Sequence, residues 1–294
     1  MDGDLSAETV RAIVQQQFPA LAVERVEYLD EGWDNVVYEA DGWLLRFPKR
    51  ADVEPSLAVE LALLPLLEAR LPVAVPRFEL RGEPSERFPR RFAGYRKLPG
   101  QTGDEIELAD EQLLRLGGAL GDFVTELHRF PVPLARELGV PKGSETRAPE
   151  LLKARVAQRF HLVERAAPHL LERARRFLEA SPPRVYEGQP RFLHADLTRA
   201  HVLVTGERIS GVIDWADVSV GDPACDFAGF FHWGGEPMFR AGIERYPFAD
   251  AGLAERARFV ATCLGFYDIY YGLETGKPEC VTIGLRALEL TLIM

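Results

Sequence analysis

The stretch Phe192-Leu-His-Ala-Asp-Leu-Thr-Arg-Ala-His-Val-Leu-Val204, followed by Ile213-Asp-Trp-Ala216, decides how the chain is read. An apolar run ends at His194 and Asp196, a second run gives Val202 to Val204, and a third ends at Asp214. Short apolar runs that stop abruptly at polar residues are the pattern of buried strands that deliver side chains to a site at their ends. His201 stands five positions after Asp196, and Asp214 thirteen after His201. Taken singly, each Asp is better explained by a strand end or a turn; the spacing of the set is what carries weight.

That order and spacing match phosphoryl-transfer machinery of the kinase type. There a loop Asp orients the attacking hydroxyl, and a later residue and a second Asp hold magnesium. On HADLTRAHVLV and GVIDWADVSVGDPACDFAG the sequence resembles the aminoglycoside phosphotransferase family, small-molecule kinases related in fold to protein kinases. The resemblance extends over most of the chain. It implies an α+β, bilobal protein-kinase-like fold, with a small antiparallel-sheet lobe over residues 1–97 and a larger, mostly helical lobe over 98–294. It also implies Asp196 as the catalytic residue and His201 and Asp214 as magnesium ligands. One departure is His201, which stands where Asn is usual. A neutral imidazole still offers a lone pair to a metal, although magnesium prefers oxygen.

Composition sets outer bounds. The 294 residues can bury a sizeable core and divide into two lobes. With 47% hydrophobic and 27% charged residues the chain has the make-up of a globular protein. A net charge of −10 argues against nucleic acid or an anionic membrane surface as partner and is compatible with a cationic ligand. Cys225, Cys263 and Cys280 lack the spacing of a disulfide framework or zinc site, which fits a reducing, cytoplasmic setting. The acidic start Met1-Asp-Gly-Asp-Leu lacks the basic and apolar parts of a signal peptide, and no apolar run approaches membrane-spanning length.

Along the chain, Ser6 is an N-cap for a short helix with Val10, Ile13, Val14 and Phe18 on one face, ended by Pro19. Strands are expected at Val23 to Leu29, Val36 to Ala40 and Trp43 to Phe47, the last two joined by the hairpin pair Asp41-Gly42. Kinases cover the nucleotide phosphates with such a strand–loop–strand unit and set a cation against them from the following strand. Arg46 is the cation at that place, and it can grip phosphate bidentately; the plain alternative is a solvent-facing Arg. Ser56 to Arg70 reads as a helix that Pro65 kinks or ends. By resemblance Glu60 on it pairs with Arg46, the alternative being an exposed glutamate. Val73 to Pro76 and Phe88 to Lys97 are extended pieces, and Gly94 to Gly100 looks like a hinge. The resemblance puts the base edge of a purine nucleotide, ATP or GTP, on the backbone of Tyr95, Arg96, Lys97 and Leu98.

Farther on, Asp110 to His128 carries a helical apolar stripe, with His128 a cap or packed residue. Residues 130–146 are expected as a surface connection, and 151–180 as two helices broken near Pro168. The resemblance assigns Asp222 and Asp226 to support of the catalytic loop. Trp233 and Glu236, after an aromatic run, are candidates for lining a substrate pocket. On a helix over 251–275, Asp268, Tyr271 and Glu274 recur at spacings of three and share a face. An acidic and aromatic face suits a polycationic sugar.

Within the family, EGWDNVVYEADGWLLRFPKR and FYDIYYGLETG resemble the aminoglycoside 2''-phosphotransferases most. Macrolide phosphotransferases share RFP, the His and IDW. The implied activity is transfer of the γ-phosphoryl group of ATP or GTP, with magnesium, to a hydroxyl of a small antibiotic, conferring resistance. Kinases of other small alcohols and a nucleotide-binding pseudokinase are the alternatives.

Overall fold

The computed structural model describes residues 5–143 and 147–292. The start Met1 to Asp4, and Ser144 to Thr146 at the end of the expected surface connection, lie outside the described residues. The chain forms two compact units, Met1–Arg70 with Ala74–Pro99, and Leu71–Val73 with Gly100–Met294. Among the described residues no helix is long and apolar enough to cross a membrane.

The first unit opens with helix α1 (Ala7–Gln17), whose Ser6 hydroxyl accepts the Thr9 amide at 3.2 Å and so satisfies one orphan donor of the first turn. Val10, Ile13 and Val14 are buried in a core shared with Tyr38, Trp43, Leu45, Phe47 and Phe92. Beneath α1 lies an antiparallel sheet of five strands in the order β1-β2-β3-β5-β4: β1 (Val26–Glu31), β2 (Asn35–Ala40), β3 (Trp43–Pro48), β4 (Phe78–Gly82) and β5 (Phe92–Arg96). Asp41 and Gly42 both take positive φ (47° and 81°), the backbone that joins twisted strands through two residues and that glycine adopts without strain. Strand β3 is central and buried along its whole length, with Phe47 stacked on Phe92 at 4.5 Å.

Three expectations shift here. Strand β1 begins at Val26 and runs on to Glu31, so the turn before β2 shortens to Gly32-Trp33-Asp34. Strand β4 was not foreseen, although Phe78 and Leu80 alternate inward with Glu79 and Arg81 outward. Helix α2 (Glu54–Glu68) continues through Pro65. The proline lies in the last turn on the exposed face, where one missing amide donor interrupts the ladder without ending it.

The second unit is mostly helical. Helix α3 (Asp110–Leu127) is capped by Gln112, whose side chain accepts the Ala109 amide at 2.9 Å. A short helix α4 (Val132–Glu137) occupies part of the stretch read as loop, followed by α5 (Pro149–Ala166) and α6 (Leu171–Glu179). Helix α7 (Ala224–Ile243) kinks at Gly235, where φ is 65°. Helix α8 (Leu253–Thr275) closes on Gly276 and packs against α5, α7 and α9 (Pro278–Thr291), a helix with no counterpart in the sequence reading. Phe227, Phe230, Phe231 and Phe266 are fully buried. Small sheets complete the unit: β7 (Arg191–Leu193) pairs with β10 (Ser219–Gly221), and β6 (Gln101–Thr102) joins β8 (Val202–Thr205) and β9 (Arg208–Val212) in the order β6-β8-β9.

Candidate active site

Strand β7 delivers His194 and Asp196, a 3₁₀ turn over Arg199–His201 follows, and β9 leads to Asp214. Ala195 (φ 66°) and Asp214 (φ 59°) are, among the described residues, two of the three non-glycine residues with positive φ. Left-handed backbone costs such residues of order 1–3 kcal/mol each and persists only where surrounding contacts hold it. Those contacts are present around Ala195. The Asp226 carboxylate at the start of α7 accepts the His194 amide at 3.1 Å and the Ala195 amide at 2.6 Å, and takes His128 Nε2 at 2.9 Å. Burial alone would raise the Asp226 pKa, but the His128 hydrogen bond and these partners hold it below the usual carboxylate range. His128, read as a cap or packed residue, is thus buried at the end of α3 and also meets the Tyr246 hydroxyl at 2.6 Å.

Helix α7 comes so near this loop that a Cβ on Gly229 would stand 1.7 Å from the Leu197 carbonyl oxygen. Nothing larger than glycine fits there without moving the loop.

His194 is fully enclosed. Its Nε2 donates to the Ile213 carbonyl at 3.0 Å and its Nδ1 accepts the Asp196 amide at 3.3 Å, so the ring is neutral and its tautomer fixed by its partners. Burial pushes its pKa down to about 4. It ties the loop of Asp196 to the strand end that carries Asp214.

Asp196 keeps 28% of its side-chain surface exposed, yet is set deep enough that burial pushes its pKa up to about 6, against the opposing pull of His201. His201 Nδ1 donates to the Asp196 backbone carbonyl at 2.8 Å. That bond puts the ring proton on Nδ1 and leaves the Nε2 lone pair 3.6 Å from Asp214 Oδ2. Burial alone would lower the His201 pKa, but the Asp196 and Asp214 carboxylates raise it. No group of three or more His, Cys, Asp or Glu positioned for a metal occurs among the described residues. Two donors facing each other fit a magnesium ion that draws its remaining ligands from phosphate and water.

In the first unit, Arg46 Nη1 meets Glu60 Oε2 at 2.7 Å, with the side chains 8% and 1% exposed. Glu60 is therefore not an exposed glutamate but one of the buried residues of α2. Tyr95 is buried, Arg96 stacks over the Trp43 ring at 4.0 Å, Lys97 pairs with Glu39 at 2.7 Å and Leu98 is half-buried. The Lys97 amide is already donated to the Gly42 carbonyl at 2.9 Å.

The substrate candidates are less open than their sequence suggests. Trp233 is buried in the first half of α7 and packs against Gly103. Glu236 is held by Arg240 at 2.6 Å and by Arg258, and Glu274 by Arg159 at 3.3 Å. Asp268 takes His232 Nε2 at 2.6 Å, and Tyr271 lies under Lys277 Nζ at 5.4 Å. Arg147 and Asp217 went unread in the sequence. The Arg147 guanidinium donates to Asp217 at 3.0 Å and feels the Asp196 and Asp226 charges. It stands between the Pro- and Gly-rich connection over 130–146 and the helix read from 151, where the sequence gave no signal.

The fold and this loop are those of an enzyme that transfers a phosphoryl group to an alcohol. Residues 25–259 match the model of the APH family, the phosphotransferase enzyme family, and the chain belongs to that family. The GDP and kanamycin complex of APH(2'')-IIIa, an aminoglycoside 2''-phosphotransferase, is similar with a TM-score of 0.74 and 28% identity, over 95% of this chain and 97% of that one. The macrolide 2'-phosphotransferase MphH from Brachybacterium faecium, as apoenzyme, gives a TM-score of 0.62 and 26% identity over 95% and 97%. The uncharacterized protein YcbJ of Bacillus subtilis is 25% identical over 291 residues, 91% of each chain.

Proposed function

We propose that the protein transfers the γ-phosphoryl group of ATP or GTP to a hydroxyl of an aminoglycoside-type antibiotic and thereby confers resistance. The observation that carries this reading is the juxtaposition of Asp196, His201 and Asp214, with the His201 ring turned so that Nε2 faces Asp214. Asp196 orients the acceptor hydroxyl and takes its proton, a role suited to a carboxylate whose pKa sits near 6 and which is ionised at neutral pH. Magnesium, when bound, neutralises phosphate charge, and His201 Nε2 and Asp214 Oδ2 are the atoms that would hold it. Arg46, fixed by Glu60, binds the nucleotide phosphates, and the backbone from Tyr95 to Leu98 receives the purine. Likeness to a relative bound to GDP and kanamycin supports both the purine donor and an ammonium-bearing acceptor. Asp268, with 33% of its side chain exposed, is the carboxylate best able to meet such an acceptor, beside Tyr271.

A macrolide acceptor is the second reading. What favours it is that Glu236 and Glu274 are tied to arginines, so fewer carboxylates remain for a polycation. Purified protein with magnesium, ATP or GTP and a panel of hydroxylated antibiotics, scored by mass for a phosphorylated product, decides between them. Asp196→Asn is expected to lower turnover by ~10² to 10⁴ with nucleotide affinity kept. Turnover within twofold of wild type would remove Asp196 from its role.

A further inference from the structure

The turn Gly32-Trp33-Asp34 joins β1 to β2, in the place where the sequence reading puts the cover of the nucleotide phosphates. Two of its features suit that task poorly. It has one glycine, so it lacks the bare backbone with which glycine-rich loops close over phosphate. It is also acidic: Asp30, Glu31 and Asp34 bring three carboxylates into five residues, and each repels a phosphate chain.

Lys49 and Arg50, directly after β3, offset both. Three successive carbonyls of the turn are held from there. Lys49 Nζ donates to the Gly32 carbonyl at 3.2 Å, Arg50 Nη1 to the Trp33 carbonyl at 2.9 Å and the Lys49 amide to the Asp34 carbonyl at 2.7 Å. The same two side chains take up acids. Lys49 Nζ donates to the Glu31 carboxylate and Arg50 Nη2 to the Asp34 carboxylate at 2.8 Å, while Arg50 Nε reaches Asp52 at 3.2 Å. No described peptide is cis, so each fixed carbonyl also fixes the direction of the amide that follows it. Gly32 has no part in this shape: its φ is not positive, and a Cβ on it would meet nothing within 4 Å among the described residues. Partners from the next strand, rather than glycine, set the turn.

We propose that Arg50 is a positioning residue for the nucleotide: it holds the phosphate-covering turn in one conformation before the nucleotide arrives and cancels the Asp34 charge that would repel it. The inference rests on the reading of this turn as the phosphate cover and names what lets a turn with a single glycine serve. A turn ordered in advance spares the nucleotide the entropy of ordering it. The Arg50 and Asp34 side chains are 51% and 43% exposed, and a pair so exposed adds little to the stability of the fold. Its loss therefore shows in nucleotide binding and not in Tm.

The test is fluorescence titration of the full chain, without acceptor, with mant-ADP and mant-GDP, each with magnesium, at low salt and in about 0.5 M KCl, with Tm measured alongside. Arg50→Met is expected to weaken the better-bound nucleotide by about 5- to 20-fold at low salt, with Tm within about 2 °C of wild type. Arg50→Met combined with Asp34→Asn should recover the share due to the bare carboxylate. Arg50→Met at high salt should leave the same remainder, about threefold, because screening removes the charge but not the loosened backbone. A loss that vanishes in the double variant or at high salt is an effect of charge alone and overturns the proposal. Affinity within twofold of wild type overturns it as well. So does a double variant no better than Arg50→Met, which puts Arg50 on the phosphates themselves, and so does a larger fall in Tm, which makes the pair structural. A wild type that binds neither nucleotide overturns the kinase reading along with this one. Nucleotide binding with no antibiotic phosphorylated overturns that reading alone and leaves the comparison of variants in force, so the two fail separately.

Discussion

The Asp226 carboxylate accepts the amide of Ala195 at 2.6 Å and thereby holds a residue with φ 66° directly before Asp196. Asp226→Ala leaves the His194 and Ala195 amides and His128 without an acceptor in the core. A loss of about 3–5 kcal/mol in urea unfolding, at unchanged m-value, is expected, with turnover reduced although Asp196 is intact. Wild-type stability would show that the strained backbone is held by something else.

The Arg46–Glu60 pair is buried on both sides, so the two ways of removing it should differ. Glu60→Gln strands a buried guanidinium and is expected to cost about 3–5 kcal/mol. Arg46→Met with Glu60→Leu removes both charges and should restore most of that stability while nucleotide KM stays high. If the double variant binds nucleotide like wild type, Arg46 has no part in phosphate recognition.

If His201 and Asp214 hold the metal as proposed, His201 must be unprotonated at Nε2, the nitrogen that faces Asp214. The carboxylates of Asp196 and Asp214 raise its pKa above the ordinary 6.5, in spite of burial. Affinity for magnesium-nucleotide should accordingly weaken as pH falls through that raised value, at a higher pH than an isolated histidine would give. His201→Asn is expected to keep activity and flatten the acid limb; an unchanged limb in that variant would assign the titration elsewhere.

His194 works in the opposite direction. Its pKa is about 4 in the fold and about 6.5 unfolded, so below pH 6.5 the unfolded chain binds the extra proton. Stability is therefore lost as pH drops from 6.5 towards 4, by about 3 kcal/mol once both states are protonated. Chemical denaturation at intervals across that range measures it, and His194→Gln should remove this part of the slope.

How much of this was legible depended on whether the signal was local. Asp196, His201 and Asp214 stood out because strand ends and spacing are written in the sequence, and Asp41-Gly42 because a two-residue hairpin demands its own residue types. Strand β4 was passed over although its alternation is complete, because five residues between prolines carry little periodic weight. Pro65 misled because the rule against helical proline weakens in a last exposed turn. The pairings of Arg147 with Asp217, Asp268 with His232 and Glu236 with Arg258 join residues far apart in sequence or in unremarkable stretches. Charge alone did not say which acids would be left for a ligand.

The approach of α7 to the Leu197 carbonyl has a consequence for how the chain tolerates change. In a saturation library selected for activity, Gly229 should read as intolerant as Asp196, although it has no side chain. Alanine, the mildest replacement, already drives a methyl group into the backbone of the loop. A map of functional residues drawn from such a screen would place a helix interior among the chemical groups, and only the distance to Leu197 separates the two kinds of intolerance.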